Sequence, residues 1–123
     1  MTVLLPLDIV VPVYNACDDL RACVDSVKRS TLGEDFRLVL IDDCSPDPGI
    51  ADYFGELSVA SDPRILLLYN RENLGFVATV NRGMALDRKR DVVLLNSDTL
   101  VTAGWLGKLR ACAASHHRIG TIT

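Results

Sequence analysis

Short apolar runs alternate along the chain with segments whose apolar residues recur at helical spacing. The first run, residues 7–13, is continuous and β-rich, as expected for a strand that is covered on both faces. Similar runs predict further strands at 36–41, 65–69 and 92–95. A last apolar stretch at 119–123 predicts the start of a fifth strand.

Capping and breaking residues delimit the segments between these strands. Asn15 is a capping residue for the first predicted helix, and Gly33 closes that helix. Asp47 followed by Pro48 predicts the start of the second helix. The remaining predicted boundaries are Asp62-Pro63 at the end of the second helix, about 75–86 for the third and about 103–114 for the fourth.

Strands that are separated by single helices imply right-handed crossovers and a mainly parallel sheet. We therefore expect an α/β fold with three α/β/α layers, built as a single domain over residues 1–123. Because the sequence stops where a fifth strand begins, we expect this domain to be the first part of a longer protein. Isolation of such a piece would expose apolar surface and a sheet edge, which favours self-association.

Polar residues follow each of the four predicted strands. The carboxyl ends of parallel strands meet at one edge of a sheet, where open α/β folds bind nucleotides. We therefore expect these stretches to form one binding site. They are Val11-Pro12-Val13-Tyr14-Asn15, Asp42-Asp43-Cys44-Ser45, Asn73-Leu74-Gly75-Phe76 and Asn96-Ser97-Asp98-Thr99.

Three of these stretches carry candidate chemistry, and each has a purely structural alternative. Asp43 is placed to accept hydrogen bonds from a base or a ribose, or else to cap nearby backbone amides in a turn. Asp98 is placed where Mg²⁺ or Mn²⁺ would bridge to a diphosphate, or else it caps the next turn. The loop with Arg71, Asn73 and Gly75 either contacts phosphate or ribose, or is an ordinary strand-to-helix turn.

Composition narrows the class of protein. Apolar residues make up 49% of the 123 residues and charged residues 24%, with a net charge of −3, so the basic excess of a nucleic-acid binder is absent. The cysteines show no C-x-x-C pair and no spacing that suits zinc, which favours a reduced, cytoplasmic setting. No apolar stretch approaches the ~20 residues that span a bilayer. A longer protein could still associate with a membrane through another part.

Two remaining features have simpler explanations than a site. His116-His117 has no third ligand at a suitable spacing, which favours a solvated helix end over a metal site. Trp105 is expected to anchor the core.

The motifs DIVVPVYN, VLIDDCSPD, NRENLGFVATVNRG and VVLLNSDTLVTAGWL, in this order, resemble the nucleotide-binding half of family 2 glycosyltransferases. The likeness covers nearly the whole chain and is closest to the bacterial rhamnosyltransferase-like branch. It implies the GT-A fold, whose nucleotide-binding half is Rossmann-like.

The resemblance implies a role for each matching residue. Pro12 and Tyr14 would line the nucleoside pocket, Asp43 would contact the base, and Arg71 and Asn73 would lie near it. Asp98 would bind the metal as the last acid of a DxD-like motif. Asn96 stands where the first acid often is, which removes one charge from the ribose and metal site. Cys44 stands where Gly is frequent, a tolerable change in a turn unless the turn requires a positive φ.

The implied activity is transfer of a sugar from a nucleotide-diphosphate donor to an acceptor hydroxyl, with inversion, in polysaccharide biosynthesis. The acceptor would be a saccharide or a lipid-linked molecule. The family's general base comes from the acceptor-binding half, so no catalytic residue is assigned in this chain. We expect the isolated chain to bind donor nucleotide weakly or not at all and to be inactive in transfer.

Three other classes of protein are alternatives to this one. A flavodoxin-like phospho-acceptor domain would need its acid pair after the first strand and a lysine after the last, and this chain has neither. A non-catalytic nucleotide-binding or assembly module of the same fold is the stronger alternative, because Asn96 replaces an acid. Pyrophosphorylase-type nucleotidyltransferases need a glycine-rich loop after the first strand, which is absent here.

Overall fold

Four parallel strands form the central sheet in this computed structural model, which describes residues 6–31 and 33–115. Their order, β3-β2-β1-β4, matches the start of the doubly wound nucleotide-binding order. A flavodoxin-like sheet would place β3 beside β1, so the topology excludes that alternative. The strands are β1 (Leu7–Val13), β2 (Arg37–Asp42), β3 (Ile65–Tyr69) and β4 (Asp91–Leu94).

Helices cover both faces of the sheet and complete the predicted three layers. They are α1 (Cys17–Ser30), α2 (Pro48–Ala60), α3 (Phe76–Met84) and α4 (Trp105–Ala114). Successive strand residues point to opposite faces, so Val11 packs with α1, α2 and α4, whereas Val10 faces α3. Leu20 of α1 and Phe54 of α2 are fully buried in the larger core, against which Trp105 packs as predicted.

A close approach holds α3 against the sheet. A Cβ atom at Gly83 would lie 2.5 Å from a methyl group of Val10 and 3.1 Å from Ile41 Cδ1. Only glycine therefore lets the helix sit this near the strands. After β3 the chain crosses to this face of the sheet, where α3 packs. It then returns to the sheet as β4, which pairs with β1 on the side away from β2.

The predicted capping role of Asn15 is wrong. Helix α1 begins at Cys17 behind Ala16, which is left-handed (φ 54°, ψ 55°) and makes no side-chain cap. The side chain of Asn15 instead accepts a hydrogen bond from the backbone N–H of Asp47 at 3.1 Å, and its own N–H donates to Ser45 Oγ at 2.9 Å. Asn15 therefore joins the end of β1 to the β2–α2 loop.

The other predicted boundaries are close to the observed ones. Asp47 caps α2 as predicted, since its carboxylate accepts from the Gly49 N–H at 2.9 Å. Helix α1 ends at Ser30, ahead of Gly33, whose φ of 81° places it in the following turn. The predicted fifth strand at 119–123 and His116-His117 lie outside the described residues.

The opposite, amino-terminal edge of the sheet carries a buried carboxylate. Asp8 of β1 is 1% exposed and accepts two hydrogen bonds from Arg37 of β2, at 2.9 and 2.7 Å. Arg90, directly before β4, adds a third at 2.6 Å. These charged hydrogen bonds join three neighbouring strands, which fixes their register away from the candidate site.

The four described helices all lack the length and apolar character that crossing a bilayer requires.

Candidate functional site

An open cavity of about 650 Å³ lies at the carboxyl edge of the sheet, between the ends of β1 and β4. This is the point where the strand order reverses, and open α/β sheets bind their ligands there. Loops after all four strands and the first turn of α1 contribute to its wall. The lining residues are Pro12, Val13, Tyr14, Ala16, Asp19, Asp43, Asn73, Gly75, Phe76, Thr79, Asn96, Ser97 and Asp98.

The residues singled out by the sequence mostly meet in this cavity. Those that line it are Pro12, Tyr14, Asp43, Asn73, Asn96 and Asp98. Arg71 lies on the loop after β3, is exposed, and is outside the set of described residues that line the cavity. Its backbone carbonyl accepts a weak hydrogen bond from the thiol of Cys44 at 3.8 Å.

The acid pair after β2 divides into two different roles. Asp42 ends the strand, and its carboxylate accepts from the Ser45 N–H at 2.9 Å within the turn. Asp43 is 5% exposed, and its carboxylate points into the loop that precedes α3. Both oxygens of Asp43 accept hydrogen bonds from this loop, which corresponds to the capping alternative raised by the sequence.

Burial disfavours the charged form of Asp43, but the hydrogen bonds outweigh it. The backbone N–H groups of Leu74 and Gly75 and the side chains of Asn70 and Thr79 all stabilise the carboxylate. The net effect holds the pKa of Asp43 below its ordinary range. Asp43 is therefore ionised at neutral pH, and its negative charge lies at the start of α3, where the helix dipole favours it.

The backbone of the acid-pair turn is left-handed at Cys44, with a φ of 58°. The turn therefore does require the positive φ under which the expected glycine would be unstrained. Cysteine adopts this conformation with its side chain exposed.

Helix α1 supports the loop that carries Asn96 and Asp98. The thiol of Cys23 is fully buried and donates to the carbonyl oxygen of Asn96 at 3.7 Å. Burial, partly opposed by the Thr99 backbone hydrogen bond and reinforced by the charge of Asp98, raises the pKa of Cys23 to about 11. Ser26 Oγ accepts from the Val101 N–H at 3.1 Å, one turn further along α1. Helix α1 therefore holds this loop through two hydrogen bonds, one from Cys23 and one to Ser26.

The donor set of the cavity fits a hard divalent cation that shares its coordination with a ligand. Asp98 presents an exposed carboxylate at the cavity wall. Within residues 6–31 and 33–115, no group of three or more His, Cys, Asp or Glu side chains is arranged to hold a metal ion. Mg²⁺ is commonly held by one or two carboxylates together with substrate phosphates and waters, so a single carboxylate suffices when a diphosphate is bound.

Sequence reasoning missed several residues that shape this site. Asp19 lies in the first turn of α1, and its position directly after the β1 motif was the available signal. Asn70 and Thr79 organise Asp43, and Cys23 supports the Asn96 loop, but these contacts join segments far apart in the chain. No local pattern in the sequence marks them.

Comparison with known proteins agrees with the geometry. Residues 8–122 match the model of the family described as glycosyl transferase family 2. A PGL/p-HBAD biosynthesis glycosyltransferase of Mycobacterium bovis BCG is 32% identical over 114 residues, which is 88% of this chain and 41% of that protein. The uncharacterised glycosyltransferase YibD of Escherichia coli K12 is 31% identical over 94 residues, 75% of this chain and 26% of that protein.

The fold is also found in a solved structure. The crystal structure of S. aureus TarS 1-349 superposes with a TM-score of 0.69 at 20% identity, covering 91% of this chain and 33% of that one. The chain therefore spans well under half the length of the proteins it matches. Its α/β/α layers and parallel sheet are those of the GT-A, Rossmann-like fold. Since the family model matches almost every residue, the chain belongs to glycosyl transferase family 2.

Proposed function

We propose that this chain forms the donor side of a sugar-transferring enzyme and binds a nucleoside diphosphate sugar in the cavity at the carboxyl edge. One observation carries the proposal. The residues that the sequence predicts to bind nucleotide lie on separate loops. Most of them line a single cavity, at the point where the strand order reverses. Membership of the family supports the same assignment.

The two sides of the cavity would bind different parts of the donor. Pro12 lies near the end of β1 and Tyr14 directly follows the strand, and the half-exposed ring of Tyr14 offers an apolar face to the nucleoside. Asn73 offers a neutral side chain on the same wall, and Arg71 would approach only from outside the cavity. Asn96 and Asp98, on the loop after β4, would face the ribose and the diphosphate.

Asp98 would hold Mg²⁺ or Mn²⁺ together with the donor phosphates. A bound cation of this kind neutralises charge on the departing diphosphate. Asn96 brings no charge of its own, so we expect metal binding to depend strongly on the nucleotide. The role of Asp98 is then to fix where the diphosphate lies, on a loop that Cys23 and Ser26 hold to α1.

The reaction we propose is a single displacement. The acceptor hydroxyl oxygen forms a bond to the anomeric carbon while the bond from that carbon to the diphosphate oxygen breaks, so the configuration inverts. The hydroxyl proton passes to a general base. We place that base, and the contacts to a saccharide or lipid-linked acceptor, outside these 123 residues. We expect the isolated chain to bind its donor weakly at best and not to transfer sugar.

One observation favours a second candidate, a non-catalytic nucleotide-binding module of the same fold. The exposed Asn96 stands at the cavity in place of an acid, which lowers the negative charge available to a metal. Such a module would bind nucleotide without needing the cation. Metal dependence of binding therefore separates the two candidates.

Chemical-shift mapping on the ¹⁵N-labelled chain tests where a nucleotide binds. Addition of UDP, dTDP or GDP with Mg²⁺ should shift amide signals at 13–16, 73–76 and 96–98 for at least one nucleotide. Signals of Glu56 in α2, which lies outside this cavity, serve as the internal control. Shifts that cluster elsewhere, or no shift with any of the three, would contradict donor binding by this chain.

A further inference from the structure

We propose that Asp19 is a cation-binding residue of the cavity, whose carboxylate supplies the negative charge that Asn96 lacks. The inference rests on the proposed function, because the cation is the one that Asp98 would hold together with the donor phosphates. A titration with the ion alone separates the role of Asp19 from donor binding.

Asp19 faces the cavity from the first turn of α1. It is exposed and lines the wall together with Ala16. Asp19 and Cys23 are four residues apart, so they lie on the same face of the helix. That face meets the loop after β4, where the Cys23 thiol donates to the Asn96 carbonyl oxygen at 3.7 Å. Asp19 is therefore on the side of α1 that is turned towards the loop of Asp98.

The described lining of the cavity carries three carboxylates and no basic side chain. Two of them, Asp19 and Asp98, take part in no hydrogen bond or ion pair with any residue in 6–31 or 33–115. The third, Asp43, accepts hydrogen bonds from the N–H groups of Leu74 and Gly75. A diphosphate in this cavity would therefore meet negative charge, and Asp19 and Asp98 are the two carboxylates whose oxygens are open to a cation that neutralises it.

The position of Asp19 also has a purely structural explanation. An acid in the first turn of a helix is stabilised by the helix dipole. Asp18, the adjacent residue, lies in the same turn and is likewise exposed, but it is outside the described lining of the cavity. Asp18 is therefore a matched control, because both residues serve the helix and only Asp19 faces the proposed ion.

The size of the cavity sets how strongly the charge of Asp19 acts. A cavity of about 650 Å³ is about 10 Å wide, which is close to the Debye length at 0.1 M salt. Across this distance in water, attraction between a unit charge and a divalent cation changes the affinity by about three- to tenfold. Such an effect does not require a direct bond, since hard cations also bind carboxylates through their own waters.

Titration of the ¹⁵N-labelled chain with Mn²⁺ alone tests the role of Asp19 without nucleotide. The ion broadens nearby amide signals, and the Mn²⁺ concentration that half-broadens the signals of 97–99 should rise about three- to tenfold in Asp19→Asn. Asp18→Asn should leave this concentration nearly unchanged. Signals of β3 that keep their positions show that each variant is folded. An unchanged concentration in Asp19→Asn, or an equal rise in both variants, would overturn the proposal.

A double variant tests whether the charge itself matters. Asp19→Asn combined with Asn96→Asp moves one negative charge from α1 to the loop after β4 and keeps the total charge of the cavity. We expect the double variant to recover the Mn²⁺ affinity that Asp19→Asn loses. A folded double variant that stays as weak as Asp19→Asn would contradict the claim that Asp19 supplies the charge missing at Asn96.

Nucleotide titration then connects Asp19 with the proposed function. With Mn²⁺ present, whichever of UDP, dTDP and GDP binds should bind more weakly to Asp19→Asn, and the gain in affinity that Mn²⁺ provides should shrink. If Asp19 only repels the diphosphate, the variant binds nucleotide more tightly both with and without Mn²⁺, and the proposal is wrong. If the unaltered chain binds none of the three, the proposed function fails, and the titration with Mn²⁺ alone still decides the role of Asp19.

Discussion

The buried thiol of Cys23 lies beneath Asn96 and donates a hydrogen bond to its carbonyl oxygen at 3.7 Å. Helix α1 thereby supports the loop that presents Asp98 to the cavity. The contact joins residues 73 positions apart, which the pairing of β4 with β1 brings together. The diphosphate end of the proposed site therefore depends on the completed sheet.

The environment of Cys23 predicts a pH dependence of stability. Burial raises the pKa of this thiol from the ordinary 9.0 to about 11, so between these values the unfolded chain loses a proton that the folded chain keeps. The free energy of unfolding is thus unaffected by Cys23 below pH 9 and falls as pH rises towards 11, by about 2 kcal/mol. Urea unfolding at several pH values measures this fall.

Cys23→Ala is the control, because Tyr53, whose pKa burial raises to about 12, contributes to alkaline unfolding in both proteins. The fall between pH 9 and 11 should be shallower in the variant. Equal slopes in the two proteins would show that Cys23 titrates normally in the folded state.

The left-handed backbone at Cys44 predicts that glycine is more stable there. Cys44→Gly should raise the free energy of unfolding by about 0.5–1 kcal/mol, because a Cβ atom is unfavourable at positive φ and the side chain is exposed. Cys44→Ala keeps the Cβ atom and should not stabilise. Thermal unfolding of both variants decides this, and equal melting temperatures would argue against strain in the turn.

The approach of α3 to the sheet gives a matched pair of glycine substitutions. Gly83→Ala should destabilise by about 1–3 kcal/mol, since the new methyl group would lie 2.5 Å from a methyl of Val10. Gly55→Ala, inside the exposed face of α2 with nothing within 4 Å, should stabilise by about 0.5–1 kcal/mol. Denaturant unfolding measures both. A neutral Gly83→Ala would mean that α3 can move away from β1 at little cost.

Restoration of an acid at position 96 predicts a stronger metal site. Asn96→Asp adds a second carboxylate beside Asp98, so the affinity for Mn²⁺ in the presence of nucleotide should rise by about tenfold. Titration of the chain–nucleotide complex with Mn²⁺, followed by electron paramagnetic resonance, measures the free ion. Ser97→Asp places the same charge between the two positions and serves as a control for nonspecific attraction.

The fold was largely predictable because the signals of strands and helices lie in residues that are close together in the sequence. The continuous apolar run at 7–13 and the Asp47-Pro48 cap are properties of neighbouring residues, and both predictions are confirmed. The order of alternation also implied the edge at which polar residues meet. The cavity lined by Pro12 and Asp98 realises that expectation.

Misplaced or missed details depend on contacts between distant segments. Asn15 carries a capping side chain, but the loop after β2 lies close enough to take its hydrogen bonds. Asp43 stands in an ordinary acid-pair turn in the sequence, and the amides that donate to its oxygens come from a loop about thirty residues away. Such competition between local and distant partners becomes visible only when the loops are placed in space.

The most direct test of donor binding is calorimetric titration of the chain with UDP, dTDP and GDP, with and without Mn²⁺. Asp98→Ala removes the proposed metal ligand. Asp91→Ala removes an exposed carboxylate at the start of β4, the strand that precedes the Asp98 loop. We predict Mn²⁺-dependent binding of at least one nucleotide that is lost in Asp98→Ala and kept in Asp91→Ala. Binding that is indifferent to Mn²⁺ or to Asp98 would contradict the metal-assisted donor site.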